Sequence, residues 1–494
     1  MKRRRPLRPL LIAVAVPLAI LISLAAWAVA SPVGSSPDDD FHLASIWCGA
    51  GERPGICEMT DEDTTRLVPT ALTTADCYAY DPTQSAACWN PDSGGMRETS
   101  RVDTGPVYPP VFYATMSLFV SPDIAAAVVT MRMVNVALCV AMVTTTFWLL
   151  PRRLRPALVL STVATAVPLG VFVYASTNPS SWALMSASVV WIGVYGATQT
   201  TGRRMWALAA IAAAAAVIGG GARADAGIFA IFGAALGLLL GLRHLKMAVV
   251  PLGATVVIAA TGLFFYASAG QSGYLASGLR NENPPLSRMQ LLQNAFDVPE
   301  LWSGALGGSG LGWLDTVMPA AVGFIGTAIA GAIVVVGVRR LSARRVIAIA
   351  AAFAALWAVP FILLMQSRAV VGTEVQPRYI LPLIVIALGV ASVSVDAESL
   401  WTRPRRTIVA LAVTLSFALS IYTNVRRYTS GIDGGGLNPA NGAEWWWTNA
   451  PSPTLLIVVG TVAFAVAVGL LAWLHPLDSR SSAPTEALST ASKT

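Results

Sequence analysis

Long apolar stretches alternate with short polar segments along most of the chain. Each stretch holds about 17–25 residues, which is the length that an α-helix needs to cross about 30 Å of hydrocarbon. The pattern therefore predicts an all-α polytopic membrane protein with about twelve transmembrane helices, in a range of about 11 to 13. The predicted spans are residues 10–30, 123–150, 157–176, 181–199, 206–222, 227–242, 247–267, 317–338, 346–366, 379–395, 407–424 and 453–474.

The composition agrees with a membrane protein. Hydrophobic residues make up 55% of the chain and charged residues only 12%, whereas an ordinary soluble domain carries about 25% charged residues. The net charge is +7, but the basic residues fall between the apolar stretches. The composition therefore excludes an ordinary soluble protein and does not indicate a nucleic-acid partner.

The basic residues predict the orientation of the spans, because Lys and Arg accumulate on the cytoplasmic side of a membrane. They fall between alternate pairs of spans, so both ends of the multi-pass domain (10–475) are predicted to be cytoplasmic: residues 1–9 and a disordered tail, 476–494. The clusters are Lys2–Arg5 with Arg8, Arg152/Arg153/Arg155, Arg203/Arg204, Arg243/Lys246, Arg339/Arg340/Arg344/Arg345 and Arg403/Arg405/Arg406. The long extracytoplasmic connections are then 31–122, 268–316 and 425–452. This asymmetry indicates that the protein acts on its outer face.

The first apolar stretch has a second interpretation. Lys2–Arg5, an apolar core and the small residues 28–30 resemble a cleaved signal peptide. The apolar run holds about twenty residues, which is long for the core of a signal peptide. We therefore favour a retained membrane anchor.

Four of the five cysteines lie in the first long connection, at Cys48, Cys57, Cys77 and Cys88. An even number of cysteines outside the cytoplasm indicates two disulfides, with three possible connectivities. A zinc site is the alternative, but the spacings lack paired C-x-x-C motifs. Cys139 lies in a predicted span and is interpreted as a small hydrophobic residue.

An acidic cluster follows the first span at residues 35–42, S-S-P-D-D-D-F-H. Asp38, Asp39 and His42 could hold a divalent cation such as Mg²⁺ or Mn²⁺, since hard ions prefer carboxylate oxygens. One acid could instead act as general base towards an incoming hydroxyl. Asp40 is the least certain member of the cluster.

The same cluster also fits the start of a helix. Ser36 or Asp38 could cap a helix that begins near Phe41, where acidic residues stabilise the N-terminus. The local sequence alone leaves the cap and the site open.

Four polar residues stand out in or beside predicted spans. Arg132 and Asn135 are three residues apart and share a helix face; Arg132 fits either the interior of the bundle or snorkelling to the interface. Arg223 and Asp225 lie in a tight turn between two short spans. They fit a substrate-binding role and a simple ion pair equally well.

The stretch V-Q-P-R-Y-I-L-P places Arg378 at the outer start of a span, where a guanidinium is well suited to bind a phosphate. Tyr379 fits a substrate contact or an interfacial aromatic. The three tryptophans 445–447 read first as an interfacial belt and second as a platform for sugar rings. No nucleotide-binding, metalloprotease or serine-hydrolase motif is found in the sequence.

Six short stretches, taken in order, resemble domain-of-unknown-function family 2142 of bacterial multi-pass membrane proteins. The resemblance runs from about residue 10 to residue 425. The stretches are P-D-D-D-F-H (37–42), Y-P-P-V-F-Y (108–113), R-M-V-N (132–135), N-P-S-S (178–181), G-S-G-L-G-W-L-D-T-V-M-P (308–319) and Q-P-R-Y-I-L-P (376–382).

That family is similar in layout to the GT-C glycosyltransferases, which take a lipid-phosphate sugar as donor. The resemblance implies that Asp38 and Asp39 are the key acids and that Arg378 lies near the donor phosphate. It places Asp315 in the outer-face site, although Asp315 could also cap the span that begins near residue 317. The chain departs from the family pattern with Asp39 for Glu, Asp40 for Pro, Pro377 for Gly, and Ser180 where Asp is common.

We therefore expect a GT-C-like, inverting glycosyltransferase of the bacterial plasma membrane, in contact with membrane lipids. Its donor would be a polyprenyl-phosphate sugar, and its acceptor an extracellular glycan, lipid or protein of the cell envelope. A divalent cation would help without being required. The alternatives are a glycolipid transporter or flippase, and a non-catalytic assembly protein of the cell envelope. A transporter more often shows two similar halves with polar groups near mid-membrane.

Overall fold

The computed structural model describes residues 7–242, 249–279, 283–339, 341–393 and 401–473. Several sequence predictions fall outside these ranges. They are the basic clusters at 2–5 and at 243 and 246, Arg340, and the tail 476–494.

Helices account for most of the described residues. The helices are α1 Leu7–Val29, α2 Asp39–Cys48, α3 Thr70–Thr73, α4 Val111–Met116, α5 Ile124–Leu149, α6 Arg155–Thr165, α7 Val171–Tyr174, α8 Ser180–Thr198, α9 Gly202–Gly220, α10 Ala224–Gly241, α11 Val249–Ser268, α12 Ser272–Ser277, α13 Arg288–Ser303, α14 Ala320–Gly337, α15 Ala343–Gln366, α16 Leu381–Ser392, α17 Arg403–Ser430 and α18 Pro453–Trp473. The strands are β1 Glu58–Met59, β2 Arg66–Pro69 and β3 Met96–Thr99.

Nine helices of the described chain are long and apolar enough to cross a membrane, with α6 and α7 counted together as one. Two shorter apolar helices, Ala13–Val29 and α16, coincide with two further predicted spans. The remaining predicted span corresponds to α8, which is less apolar because it carries several serines. The chain is thus a polytopic α-helical membrane protein, and the number twelve stays a prediction.

The predicted span 157–176 is broken in its middle, which corrects the sequence interpretation. α6 ends at Thr165, and α7 begins only at Val171. Pro168 lies in the break, where it has no N–H to donate to a helical carbonyl. Leu169 is thereby carried out of the regular helix and into the wall of a cleft described below.

The predicted span 407–424 is longer than expected at both ends. α17 runs from Arg403 to Ser430, so Arg427 and Tyr428 belong to a helix rather than to a connection. Both side chains are fully buried. The sequence window ended early because two arginines and a tyrosine lower the hydropathy of this last turn.

The first long connection, residues 31–122, is a small folded unit that we call the loop domain. Its three strands form an antiparallel sheet in the order β1-β2-β3. Its four cysteines form two disulfides, Cys48–Cys57 and Cys77–Cys88, which is one of the three connectivities left open by the sequence. An apolar cluster around α2, α3 and α4 continues into α5 and α8, so the loop domain packs on the bundle.

α8 forms the centre of the bundle and packs against α5, α9, α10 and α16. Almost every residue between Ser180 and Ala197 is buried. α1 packs against α5 and α18. The residues just before α8 lie directly beside the start of α2, because Thr177 donates to the carboxylate of Asp39 and Asn178 donates to the carbonyl of Pro37.

Candidate functional site

The backbone from the end of α1 to the residue before Asp38, residues 28–37, is held by side chains from distant parts of the chain. We call it the exit segment. Eight of its carbonyls accept a side-chain hydrogen bond, and nearly all of its residues are buried. The donors are Arg132, Trp447, Asn424, Tyr78, Trp313 and Asn178. These hydrogen bonds fix the position of the backbone that leads into Asp38.

Asp38 stands at the N-cap position of α2, but its side chain does not cap the helix. Its backbone is left-handed, with φ 58° and ψ 23°. Its Oδ2 instead accepts a hydrogen bond from Arg378 Nη2 at 2.5 Å. The hydroxyl of Ser36 does not cap the helix either, since this buried oxygen has no hydrogen-bond partner. The cap interpretation is wrong for both residues, and the helix begins at Asp39 rather than near Phe41.

The carboxylate of Asp39 is fully buried and faces away from Arg378. It accepts hydrogen bonds from the backbone N–H of Ser36 at 3.1 Å and from Thr177 Oγ1 at 2.8 Å. Burial raises the pKa of Asp39 to about 6, although Arg132 and these two hydrogen bonds oppose the rise. Asp39 therefore fastens the turn before α2 and is not open to a substrate.

Asp40 points in a third direction. Both of its carboxylate oxygens bond to Arg101, at 2.6 Å to Nε and 3.1 Å to Nη2. Arg101 also approaches Asp38 Oδ1 at 3.5 Å, and its side chain is 52% exposed. Asp40 thus forms a surface ion pair, whereas the 36% exposed side chain of Asp38 lies between two arginines.

His42 is buried in an aromatic cluster on the same helix. Its Nδ1 lies 2.8 Å from the hydroxyl of Tyr113, and the ring of Tyr108 packs edge-on at 5.3 Å. Burial lowers the pKa of His42 to about 3, and the nearby Arg378 and Arg223 act in the same direction. The imidazole is therefore neutral and supports the cluster rather than carrying a charge.

The structure does not form the metal site predicted from Asp38, Asp39 and His42. These three side chains face an arginine, a threonine with a backbone amide, and a tyrosine. Within the described ranges, no group of three or more His, Cys, Asp or Glu side chains is arranged to hold a metal ion. The residues present do not fit a three-ligand divalent site, and we derive no step through one.

Arg223 and Asp225 form a bidentate ion pair, with distances of 2.9 and 2.8 Å. The two residues pair with one another, as one interpretation of the sequence expects. The pair also lies near Asp38. The guanidinium of Arg223 lies between the rings of Tyr108 and Tyr379, at 5.9 and 5.6 Å from their centroids. Its Nη1 approaches Ser180 Oγ at 3.3 Å, so the position where family members often carry Asp faces this arginine.

Arg378 connects this cluster to Asp38. Its side chain is only 4% exposed, and its guanidinium lies 5.1 Å from the ring of Tyr379. Nη2 donates to Asp38 and approaches the Tyr379 hydroxyl at 3.4 Å. The other two nitrogens, Nε and Nη1, are buried without a hydrogen-bond partner.

A small, open cleft with a cavity volume of about 20 Å³ lies beside Arg378. Its wall combines a glycine-rich segment, a polar side with Arg378 and an apolar side with three leucines. The lining residues are Pro37, Leu169, Gly304, Ser309, Gly310, Leu311, Gly312, Leu314, Gln376, Pro377 and Arg378. The hydroxyl of Ser309 is a further buried group without a partner.

Arg132 and Asn135 hold backbone and do not line this cleft. Arg132 is 1% exposed and donates to three carbonyls of the exit segment. It therefore faces the bundle interior, and the snorkelling alternative is wrong. Asn135 donates to the carbonyl of Ser176 and accepts from Trp182 Nε1.

Asp315 also has a partner that the sequence did not indicate. Its Oδ2 accepts a hydrogen bond from the buried Arg427 at 2.9 Å. It does not cap the following span, because α14 begins at Ala320 after Pro319. Arg427 also donates to three carbonyls of the loop domain, those of Tyr78, Asp81 and Gln84. This network ties the 308–319 stretch to the loop domain.

Five residues at or near the site were not singled out from the sequence. Tyr108 and Tyr113 lie in a stretch already quoted for the family resemblance, and Ser309 lies in another. Nothing in the sequence pointed to Arg101 as a site residue, since it is one exposed arginine in a polar region. Arg427 was missed because the predicted span ended three residues before it.

Four of the six family stretches meet around Asp38, namely 37–42, 108–113, 178–181 and 376–382. A fifth, 308–319, lines the adjoining cleft. The family profile described as "Predicted membrane protein (DUF2142)" matches residues 21–387. No curated protein matches the chain. The chain therefore belongs to the DUF2142 family of predicted membrane proteins.

Proposed function

We propose that the protein is a GT-C-like membrane glycosyltransferase that transfers a sugar from a polyprenyl-phosphate donor to a cell-envelope acceptor. The reaction would take place at the extracytoplasmic face of a bacterial plasma membrane. The observation that carries the proposal is the pair formed by Asp38 and Arg378 beside the cleft. An acid and a guanidinium in contact are the two groups that this transfer needs.

Asp38 is proposed as the general base. Burial alone would raise the pKa of its carboxyl, but the charges of Arg378 and Arg101 and the hydrogen bond from Arg378 act against burial, and the pKa lies below its ordinary value. The carboxylate is therefore ionised at neutral pH and can accept a proton. The acceptor hydroxyl oxygen would form a bond to the anomeric carbon as its proton passes to Asp38. The bond from that carbon to the phosphate oxygen would break, with inversion.

Arg378 is proposed to stabilise the departing lipid phosphate. Guanidinium–phosphate hydrogen bonds are charge-assisted, and they strengthen as negative charge develops on the leaving oxygen. If Arg378 donates to the phosphate instead of to Asp38, the carboxylate of Asp38 loses the main interaction that lowers its pKa. The carboxylate would then become a stronger base in the same step that creates the leaving anion. No divalent cation is needed for this sequence of events.

The wall of the cleft supports a lipid-linked donor. Leu169, Leu311 and Leu314 provide apolar surface next to the polar side of the cleft. A polyprenyl-phosphate sugar carries an apolar chain next to an anionic group, so both of its parts would find matching surface. The donor would reach the cleft laterally from the outer leaflet.

Transfer can be tested with purified protein in lipid nanodiscs, supplied with polyprenyl-phosphate mannose or glucose and a cell-envelope extract as acceptor. Mass spectrometry would follow both the released polyprenyl phosphate and the glycosylated product. We expect Asp38→Asn to lower the transfer rate by roughly 10²- to 10⁴-fold. Asparagine is the suitable replacement because it has nearly the same shape and tolerates the left-handed backbone of residue 38.

Asp40→Asn is the matched control. It removes the same charge two residues from Asp38, and the side chain of Asp40 bonds only to Arg101. It should retain activity close to wild type. Equal activity of wild type and Asp38→Asn would contradict the role of Asp38. Movement of labelled glycolipid across the membrane of liposomes, without any new glycosidic bond, would show that the protein is a transporter and not a glycosyltransferase.

A further inference from the structure

Three buried donor atoms in the wall of the cleft have no acceptor in the protein: Nε and Nη1 of Arg378 and Oγ of Ser309. Buried polar groups in folded proteins are nearly always paired. Within the described part of the chain, several arginines have one such nitrogen, but only Arg378 has two. Because both residues line the same cleft, these donors point to a ligand rather than to separate packing defects.

The hydroxyl of Ser309 lies next to the segment that carries Arg378. A Cβ atom built on Gly304 would lie 2.5 Å from Ser309 Oγ and 2.9 Å from Cγ of Pro377. Both groups therefore pack on the same glycine, and Pro377 directly precedes Arg378. The absence of a side chain at residue 304 is what lets the serine and the arginine segment share one wall.

We propose that Ser309 and Arg378 form a subsite for a phosphate group. This assignment rests on the proposed function, in which Arg378 meets a lipid phosphate, and it adds Ser309 as a binding residue. A phosphate ester fits because it is tetrahedral, and its non-bridging oxygens (two in the lipid-linked sugar, three in the released lipid phosphate) can accept hydrogen bonds from donors on separate side chains.

The charge of Asp38 shapes the subsite. Asp38 already neutralises Arg378 through Nη2, so a phosphate must share the guanidinium with a carboxylate. A neutral hydroxyl donor such as that of Ser309 adds affinity without a second counter-charge. The apolar residues Leu311 and Leu314 beside it favour a lipid-linked phosphate over free phosphate.

Binding can be measured without transfer, with the full chain in nanodiscs and fluorescent polyprenyl phosphate as probe. Polyprenol, which lacks the phosphate, and inorganic phosphate serve as the other two ligands. We expect Ser309→Ala to weaken polyprenyl phosphate binding roughly tenfold and to leave polyprenol binding unchanged. Arg378→Lys keeps a positive charge for Asp38 but loses the additional nitrogens, so it should weaken the same ligand selectively.

Ser303→Ala is the matched control, because its hydroxyl lies in the same segment and donates to the carbonyl of Glu300. It should bind polyprenyl phosphate like wild type. Unchanged affinity of Ser309→Ala, or equal losses for polyprenyl phosphate and polyprenol, would overturn the subsite. If inorganic phosphate competed as effectively as polyprenyl phosphate at equal concentration, the claim that the subsite prefers a lipid-linked phosphate would be wrong. Should Ser309→Ala fail to fold, Arg378→Lys decides by the same comparison.

The two proposals fail in different ways. Selective loss of binding in the variants, with no sugar transfer by wild type, supports the subsite and contradicts the glycosyltransferase. Sugar transfer by wild type, with undiminished binding by Ser309→Ala, supports the enzyme and contradicts the subsite.

Discussion

Three adjacent aspartates occupy three different environments, and the difference decides which of them can do chemistry. Asp38 is partly exposed and contacts Arg378, Asp39 is sealed inside the turn, and Asp40 pairs with the surface residue Arg101. Asp38 has a left-handed backbone just before the helix, and Asp39 and Asp40 begin the helix, where successive side chains turn by about 100°, so the three carboxylates point in different directions. The proposed chemistry therefore rests on one carboxylate and one guanidinium.

Asp38→Asn should separate binding from catalysis. Loss of the carboxylate frees Arg378 Nη2 for a phosphate, so affinity for polyprenyl phosphate should rise roughly three- to tenfold while transfer is lost. Titration of the fluorescent lipid into wild-type and variant nanodiscs measures this directly. Weaker binding by the variant would show that Asp38 itself helps to hold the ligand. Asp40→Asn again serves as the control.

Asp39 should make the folded protein less stable as the pH rises. Its pKa is raised from 3.8 to about 6 in the folded protein, so the folded state binds this proton more tightly than the unfolded state. The proton is lost from the unfolded chain near pH 4 and from the folded chain near pH 6. Stability from Asp39 therefore falls across that window, by about 3 kcal/mol.

Thermal unfolding of wild type and Asp39→Asn between pH 4 and pH 7 tests this prediction. The difference in apparent Tm should shift in favour of the variant as the pH rises, since asparagine has no proton to lose. Contributions from His42 and Asp38 cancel in the difference. A difference that does not change with pH would mean that Asp39 is not titrating in this range.

At the level of elements, the exit segment is the part that positions the site. It is short and almost fully buried, and most of it lies outside helix and sheet, so its carbonyls need other partners. Side chains from α5, α17, the residues just before α8 and the loop domain bond to them instead. Arg132, which looked like a candidate ligand contact in the sequence, belongs to this support, and so does Asn178.

Trp313→Phe should affect catalysis through this support. The indole N–H of Trp313 donates to the carbonyl of Gly34 at 2.9 Å, and phenylalanine keeps an aromatic ring but removes that donor. An unpaired buried carbonyl costs about 1–3 kcal/mol, and the turn before Asp38 would be free to shift. We expect a lower kcat with little change in lipid phosphate affinity.

Trp302→Phe is the control for that experiment. Its indole N–H donates to the carbonyl of Leu356, which lies in a regular helix away from the exit segment. The variant should lose some stability and keep its kcat. A similar fall of kcat in both variants would assign the effect of Trp313 to general destabilisation.

In the whole molecule, the polar groups of the site gather at the end of the bundle that carries the loop domain. The loop domain is joined to the bundle through the buried pair of Asp315 and Arg427 and through the exit segment. Two disulfides strengthen it, which suits an oxidising compartment. The site, the cleft and the disulfides thus all favour an extracytoplasmic working face.

Labelling with a membrane-impermeant maleimide tests this orientation. Glu62→Cys places a thiol on an exposed position of the loop domain, and Thr201→Cys places one at the exposed connection between α8 and α9. We expect whole cells to label only the first variant and lysed cells to label both. The native Cys139 is buried and should react with neither treatment. Labelling of Thr201→Cys alone in whole cells would reverse the proposed orientation.

The sequence by itself determined the membrane class, most of the spans, the family and the stretches that form the site. These features are local, because the length of an apolar run and the chemistry of a short motif do not depend on the rest of the fold. It did not determine which acid meets Arg378, since that contact joins residues 340 positions apart. Nor did it show that Arg132 bonds to the backbone of the exit segment or that Asp315 pairs with Arg427. It also did not show that Ser309 lines the same cleft as Arg378. Those outcomes depend on side-chain direction and on close packing between distant elements, which only the tertiary structure decides.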